Sequence, residues 1–192
     1  MERLACVTSL VCGVPLGTIV AKKHPLNSFA KQVRVARYLF GYVADRRGYS
    51  LTEVGNFLGI HHLDTRRLRD LSREQYNNGL RNVVLAIERY LDNSLVYLSG
   101  KVSDSPYEHA VQKFNEAEKK LEEAGYLVVN PISLVPERTG WEFAMRILFP
   151  YLTCCDIICL LPDWSESRGA TFEYEVAKKL GLKEMFYDEC IK

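Results

Sequence analysis

No apolar stretch in this chain approaches the ~20 residues that a helix needs to cross a bilayer. The longest early candidate, Leu4 to Val20, is interrupted by Thr8, Ser9, Gly13, Pro15 and Gly17. The Met-Glu-Arg start ahead of Leu-Ala-Cys-Val has no clear cleavage boundary, so a cytoplasmic protein is expected, with no membrane partner. Six cysteines lack paired Cys-x-x-Cys spacing and there are only four histidines, so no metal and no cofactor is expected. The cysteines read instead as inert thiols, with Cys154, Cys155 and Cys159 on or just before an apolar run where a thiol packs as a small hydrophobe. Internal repeats are also missing, which argues against a solenoid.

The net charge of +1 conceals an asymmetry. Residues 1–93 carry 14 Lys+Arg against 8 Asp+Glu, net +6, and residues 94–192 carry 11 against 16, net −5. A polyanion suits the first half and is a poor partner for the second, apart from a small ligand held locally. Asp92-Asn-Ser94 is the natural boundary, which predicts a helical domain over 1–93 and an α/β domain over 94–192.

In the first half, Phe29 to Arg46 spaces Val33, Ala36, Tyr38, Leu39, Tyr42 and Val43 for a helix with a broad buried face, leaving Lys31, Arg34 and Arg37 on its surface. Ser50-Leu-Thr-Glu53 is a capping box that opens a short helix closed by Gly59. After Ile60-His-His62 a second helix begins near Leu63 or Asp64 and bears Arg66, Arg67 and Arg69, a helix-turn-helix pattern. A further helical region follows over Ser72 to Leu91, with a possible break at Asn77-Asn-Gly79.

The second half alternates strands and helices: Leu95–Leu98, Pro106–Glu123, Tyr126–Val129, Trp141–Tyr151, Ile157–Leu161 and a short strand at Glu184–Tyr187. Strand, helix, strand at this spacing implies a parallel sheet. Ile157 to Leu161 reads as a buried central strand, after which a Ser/Gly loop leads to a helix beginning near Ala170. That order sets the amides of Ser167, Arg168 and Gly169 at a helix N-terminus, a candidate phosphate cradle. Glu173 follows within about a turn, at the carboxyl end of the strand, where open α/β sheets bind ligands.

Ser167-x-Gly169-x-x-x-Glu173-x-x-x-Ala177, with Tyr97-Leu-Ser-Gly100 upstream, resembles the nucleoside 2-deoxyribosyltransferase superfamily and its deoxynucleoside 5'-monophosphate N-glycosidases. The nearest likeness is to a branch common in phage and mobile elements, carried by Trp141, Met145 and Arg146, by Cys155-Asp156, and by Leu161 to Ala170. The resemblance implies a Rossmann-like fold and a dimer. It implies Glu173 as nucleophile at C1' of the sugar and Tyr97 orienting it. Ser99 and Gly100 would meet the substrate, and Ser167, Arg168 and Gly169 would hold the 5'-phosphate. Trp141 could stack on a base, with core or rim packing as the more common use of such a side chain. At the position where that superfamily has an Asp, eight residues before Asp156, this chain has Leu148. Asp163 is then the first candidate for a substitute acid. From the residues alone, Glu173 reads more readily as a partner of the helix dipole.

Val33 to Leu39, Gly48 to Gly55 and Leu58 to His62 resemble the C-terminal DNA-binding domain of the bacterial replication initiator DnaA. That likeness implies DNA contacts by His61, His62, Arg66 and Arg67, although His61, Leu63 and Asp64 replace the family's aspartate and two hydroxyl residues. A packing or dimerisation module is the alternative. Two functions follow for the whole chain: a nucleotide N-glycosidase or deoxyribosyltransferase, or a nucleotide-sensing DNA-binding regulator without turnover.

Overall fold

The computed structural model describes residues 1–20, 31–60, 65, 66, 70, 80–103 and 106–190. Within it the chain divides into two compact units, Met1–Asp92 and Asn93–Lys192.

The first unit is helical: α1 (Glu2–Cys12), α2 (Leu16–Ile19), α3 (Lys31–Arg46), α4 (Leu51–Leu58) and α5 (Arg81–Asp92). Its core joins Leu4 and Val7 of α1, Leu39, Phe40 and Val43 of α3, Leu58 of α4 and Ile87 of α5. The capping box forms in full: Ser50 Oγ accepts the Glu53 amide, and the Glu53 carboxylate accepts the Ser50 amide. Gly59 ends α4 in the left-handed region, at φ 64°. Arg37 departs from expectation. It is fully buried, not on the surface, and its guanidinium donates to the carbonyls of Thr18 (3.2 Å) and Ile19 (2.8 Å). The last carbonyls of α2 have no partner inside their own helix, so a cation fits there.

Gly55 admits a close approach, because a Cβ at that position would lie 2.8 Å from Thr65 Oγ1. The proposed turn itself, with His61, His62 and Arg67, lies outside the described residues, so a helix-turn-helix domain is not shown. Arg66 is exposed and helical.

The second unit is α/β: β1 (Leu95–Ser99), α6 (Tyr107–Glu123), β2 (Leu127–Val129), α7 (Pro131–Leu134), α8 (Trp141–Leu152), β3 (Ile157–Leu160), a 3₁₀ turn (Trp164–Glu166), α9 (Arg168–Leu180), β4 (Lys183–Phe186) and α10 (Tyr187–Cys190). The elements follow the expected order, and α9 starts two residues before Ala170. All four strands are parallel, in the order β2-β1-β3-β4. The pleat sorts the side chains. Val96 and Leu98 of β1 and Ile157 and Cys159 of β3 pack with Phe114, Ala117 and Leu121 of α6. Tyr97 and Ser99 point to the opposite face, toward α9. Asp156 ties the strand starts together: its Oδ2 accepts the Leu95 amide at 2.9 Å, and its backbone bonds to both Leu95 and Lys183. Cys155 and Cys159 are buried thiols, and Cys155 Sγ donates to the Tyr151 carbonyl at 3.2 Å.

Because β1 connects outward to β2 while β3 lies on its other side, the chain reverses direction between β1 and β3, and a crevice opens at their carboxyl ends. The two strand-end loops meet there at Gly100. A Cβ on Gly100 would lie 2.9 Å from both Cβ and Cδ1 of Leu161 and 3.2 Å from Asp163 Oδ1. Gly100→Ala should therefore destabilise the protein by about 1–3 kcal/mol, since Leu161 is rooted in backbone and cannot simply rotate aside. Urea unfolding measures this, and an unchanged midpoint would contradict the close packing.

Candidate active site

Glu173 lies on the inward side of α9 and is 5 % exposed. Its two oxygens are held separately: Tyr97 OH donates to Oε1 and Ser99 Oγ donates to Oε2, each at 2.6 Å. Both donors come from one face of β1, two residues apart, so the strand period itself matches the two carboxylate oxygens. Burial raises the Glu173 carboxyl to about 7, with the bonds from Ser99 and Tyr97 opposing that rise. Burial, and then the neighbouring carboxylate, also pushes the Tyr97 phenol well above its usual range, so Tyr97 remains a donor.

Glu173 opens into a cavity of about 440 Å³. One wall is the N-terminal turn of α9, with Ser167, Arg168, Gly169 and Ala170; another is the inner face of α8, with Trp141, Met145 and Leu148. Ser167 is the N-cap, its Oγ accepting the Ala170 amide at 3.2 Å. The Ser167 amide itself donates to the Trp164 carbonyl. Of the three amides proposed as a cradle, those of Arg168 and Gly169 remain as first-turn donors without an intrahelical acceptor. Glu173 lies four residues beyond Gly169, about 6 Å along the axis. That spacing separates the free first-turn amides from the carboxylate.

Of the sequence-derived residues, Gly100, Trp141, Ser167, Arg168, Gly169 and Glu173 line one cavity, while Tyr97 and Ser99 lie buried behind Glu173 as its hydrogen-bond donors and not on the lining. Asp163 does not join them on its lining. Its Oδ1 accepts the Lys101 amide at 3.1 Å and its Oδ2 accepts from Lys113 Nζ, which also donates to the Lys101 carbonyl at 2.7 Å. Asp163 braces the loop after β1 against the loop after β3. Leu148 does face the cavity and is 5 % exposed.

Sequence reasoning missed the segment after β2. Val135, Pro136, Glu137, Arg138 and Thr139 line the cavity, and Arg138 is a non-glycine residue at φ 66°. Asn130 anchors this segment: its Oδ1 caps Ile132, and its Nδ2 donates to Asn115 and Glu118. Asn130-Pro131 carries a helix-start signal, but nothing in the pattern says that the following loop returns to the site. Among the described residues no group of three or more His, Cys, Asp or Glu assembles into a metal-binding set.

The raised Glu173 carboxyl has a stability consequence. The folded protein holds this proton more tightly than the unfolded chain, so the contribution is fully present below about pH 4.5 and is lost as pH rises through about 7. Glu173→Gln mimics the protonated form. Its stability relative to the parent should improve by roughly 2–3 kcal/mol between pH 5 and pH 8. Parallel denaturation curves at the two pH values test this, and an unchanged difference would show that Glu173 is ionised throughout.

No curated protein and no solved structure gives a significant match to this chain. A family model matches residues 94–186, which include every residue of the cavity lining. Over these residues the chain is similar to the family described as "Domain of unknown function (DUF4406)".

Proposed function

We propose that the α/β unit cleaves or transfers the N-glycosidic bond of a deoxynucleoside 5'-monophosphate, with Glu173 as nucleophile. The observation that carries this reading is the buried Glu173 carboxylate, oriented by Tyr97 and Ser99 and set beyond the first-turn amides of its own helix. A 5'-phosphate seated at Arg168 and Gly169 lays C1' toward Glu173. Cleavage develops positive charge on C1' and the ring oxygen, which a neighbouring carboxylate stabilises. A Glu173 oxygen bonds to C1' as the C–N bond breaks, and its electron pair leaves with the base. Water, or a second base in a transfer reaction, then releases the sugar from the glutamyl ester. A carboxyl near 7 is about half ionised at neutral pH, so activity should rise with pH through that range.

A second reading, binding without turnover, is favoured by Leu148. Its apolar side chain lines the cavity at the sequence position where the superfamily that the chain resembles has an Asp, and Glu137 is the only other carboxylate lining the cavity among the described residues. Protonation of the leaving base by a positioned acid contributes roughly 10²–10⁴ in rate. In this reading the basic first unit supplies a DNA contact and the second senses nucleotide.

Incubation with deoxynucleoside monophosphates, with free base followed by chromatography, tests the chemistry. Glu173→Ala should abolish base release while nucleotide binding stays within a fewfold, because a covalent interaction is lost and the phosphate contacts remain. An active Glu173→Ala protein would remove the nucleophile assignment. Leu148→Asp separates the two readings. If the wild type binds but turns over slowly, the added carboxylate should raise turnover at least tenfold, its apolar surroundings favouring the protonated, donating form. Rapid turnover by the wild type would exclude the sensor.

A further inference from the structure

The indole N–H of Trp141 is buried and has no hydrogen-bond partner. An orphaned buried donor is costly, and few native groups are left so without a use. Its surroundings identify the use. A Cβ built on Gly169 would lie 3.5 Å from Trp141 Nε1, 3.7 Å from Ser167 Oγ and 3.7 Å from Met145 Cε. The absent side chain of Gly169 therefore leaves a gap flanked by the indole nitrogen and a hydroxyl, beside the first-turn amides of α9. The Arg168 guanidinium lies over the indole, 4.1 Å from the ring centroid. Phe172 packs against the same indole, with ring centroids 6.0 Å apart. Trp141 is thus poorly placed as a free platform for a base, since one face already holds Arg168. What it offers the cavity is its polar edge.

Every polar group at this point donates. An indole N–H and a guanidinium have no acceptor, two backbone amides have only their N–H, and Ser167 Oγ already accepts from Ala170, leaving its O–H to give. A set built of donors suits an oxygen-rich anion more than a sugar hydroxyl. We propose that Trp141 recognises the ligand's 5'-phosphate through its indole N–H and holds Arg168 at the same anion, so that this pair separates nucleoside monophosphates from free nucleosides. The proposal rests on the nucleotide reading above and assigns Trp141 to the phosphate instead of the base.

The chain has two tryptophans, so an ¹⁵N-labelled full-length protein gives two indole resonances, assigned with Trp164→Phe. Inorganic phosphate, a deoxynucleoside 5'-monophosphate and the matching deoxynucleoside are titrated in turn. The Trp141 resonance should move saturably with the first two and stay in place with the third. Trp141→Phe, which keeps a ring beneath Arg168, should weaken monophosphate binding about tenfold or more, as expected for loss of a hydrogen bond to a charged group, and leave nucleoside binding unchanged. Monophosphate binding with an unmoved Trp141 resonance would overturn the proposal, as would an equal loss for both ligands in Trp141→Phe. A response to inorganic phosphate alone would sustain the anion site and sink the nucleotide reading. No response to any of the three would end both.

Discussion

The arrangement of the second unit depends on keeping one carboxylate out of water. Glu173 sits beneath the sheet end with each oxygen held by a hydroxyl, and burial still outweighs those two bonds. A carboxylate in that position costs stability unless its donors are in place, and the donors are Tyr97 and Ser99 of the central strand β1. Both are completely buried. A hydroxyl pair on a fully buried strand is itself expensive without an acceptor. Strand and helix thus satisfy each other, and the pairing fixes the rotation of α9 against β1.

From that pairing the remainder of the cavity follows. Holding the inward face of α9 on β1 brings the N-terminal turn of the same helix to the reversal point between β1 and β3. The loops that leave these strands are drawn together at Gly100, where no side chain fits, and are cross-braced by Asp163 and Lys113. Asp163 illustrates how a titratable residue on the expected loop can serve shape. Its oxygens are committed to the Lys101 amide and to Lys113, while the apolar Leu148 faces the cavity.

The first unit depends on a different constraint, the placement of Arg37. A fully buried guanidinium facing the last carbonyls of α2 joins a short helix to the middle of α3. The charge asymmetry between the halves is a property of the sequence and is compatible with a polyanion partner for this unit. His61, His62 and Arg67, expected from the sequence to make such a contact, lie outside the described residues.

The sequence by itself determined the alternation of strands and helices in the second half, because hydrophobic period and Gly/Pro punctuation are local signals. It also determined the capping box at Ser50 and the nearness of Ser167, Gly169 and Glu173, which lie within two turns of one helix. Arg37 was misread as a surface residue because helical period places a side chain on a face without saying which neighbour covers that face. The resemblance implied the bond from Tyr97 to Glu173, but tertiary structure alone decided that Ser99, expected at the substrate, reaches the second oxygen of Glu173 across more than seventy positions of chain. It alone brought residues 135–139 back to the cavity and turned Asp163 toward Lys113. These are long-range pairings, set by strand order and by which helix packs on which face, and no window of the sequence contains both partners.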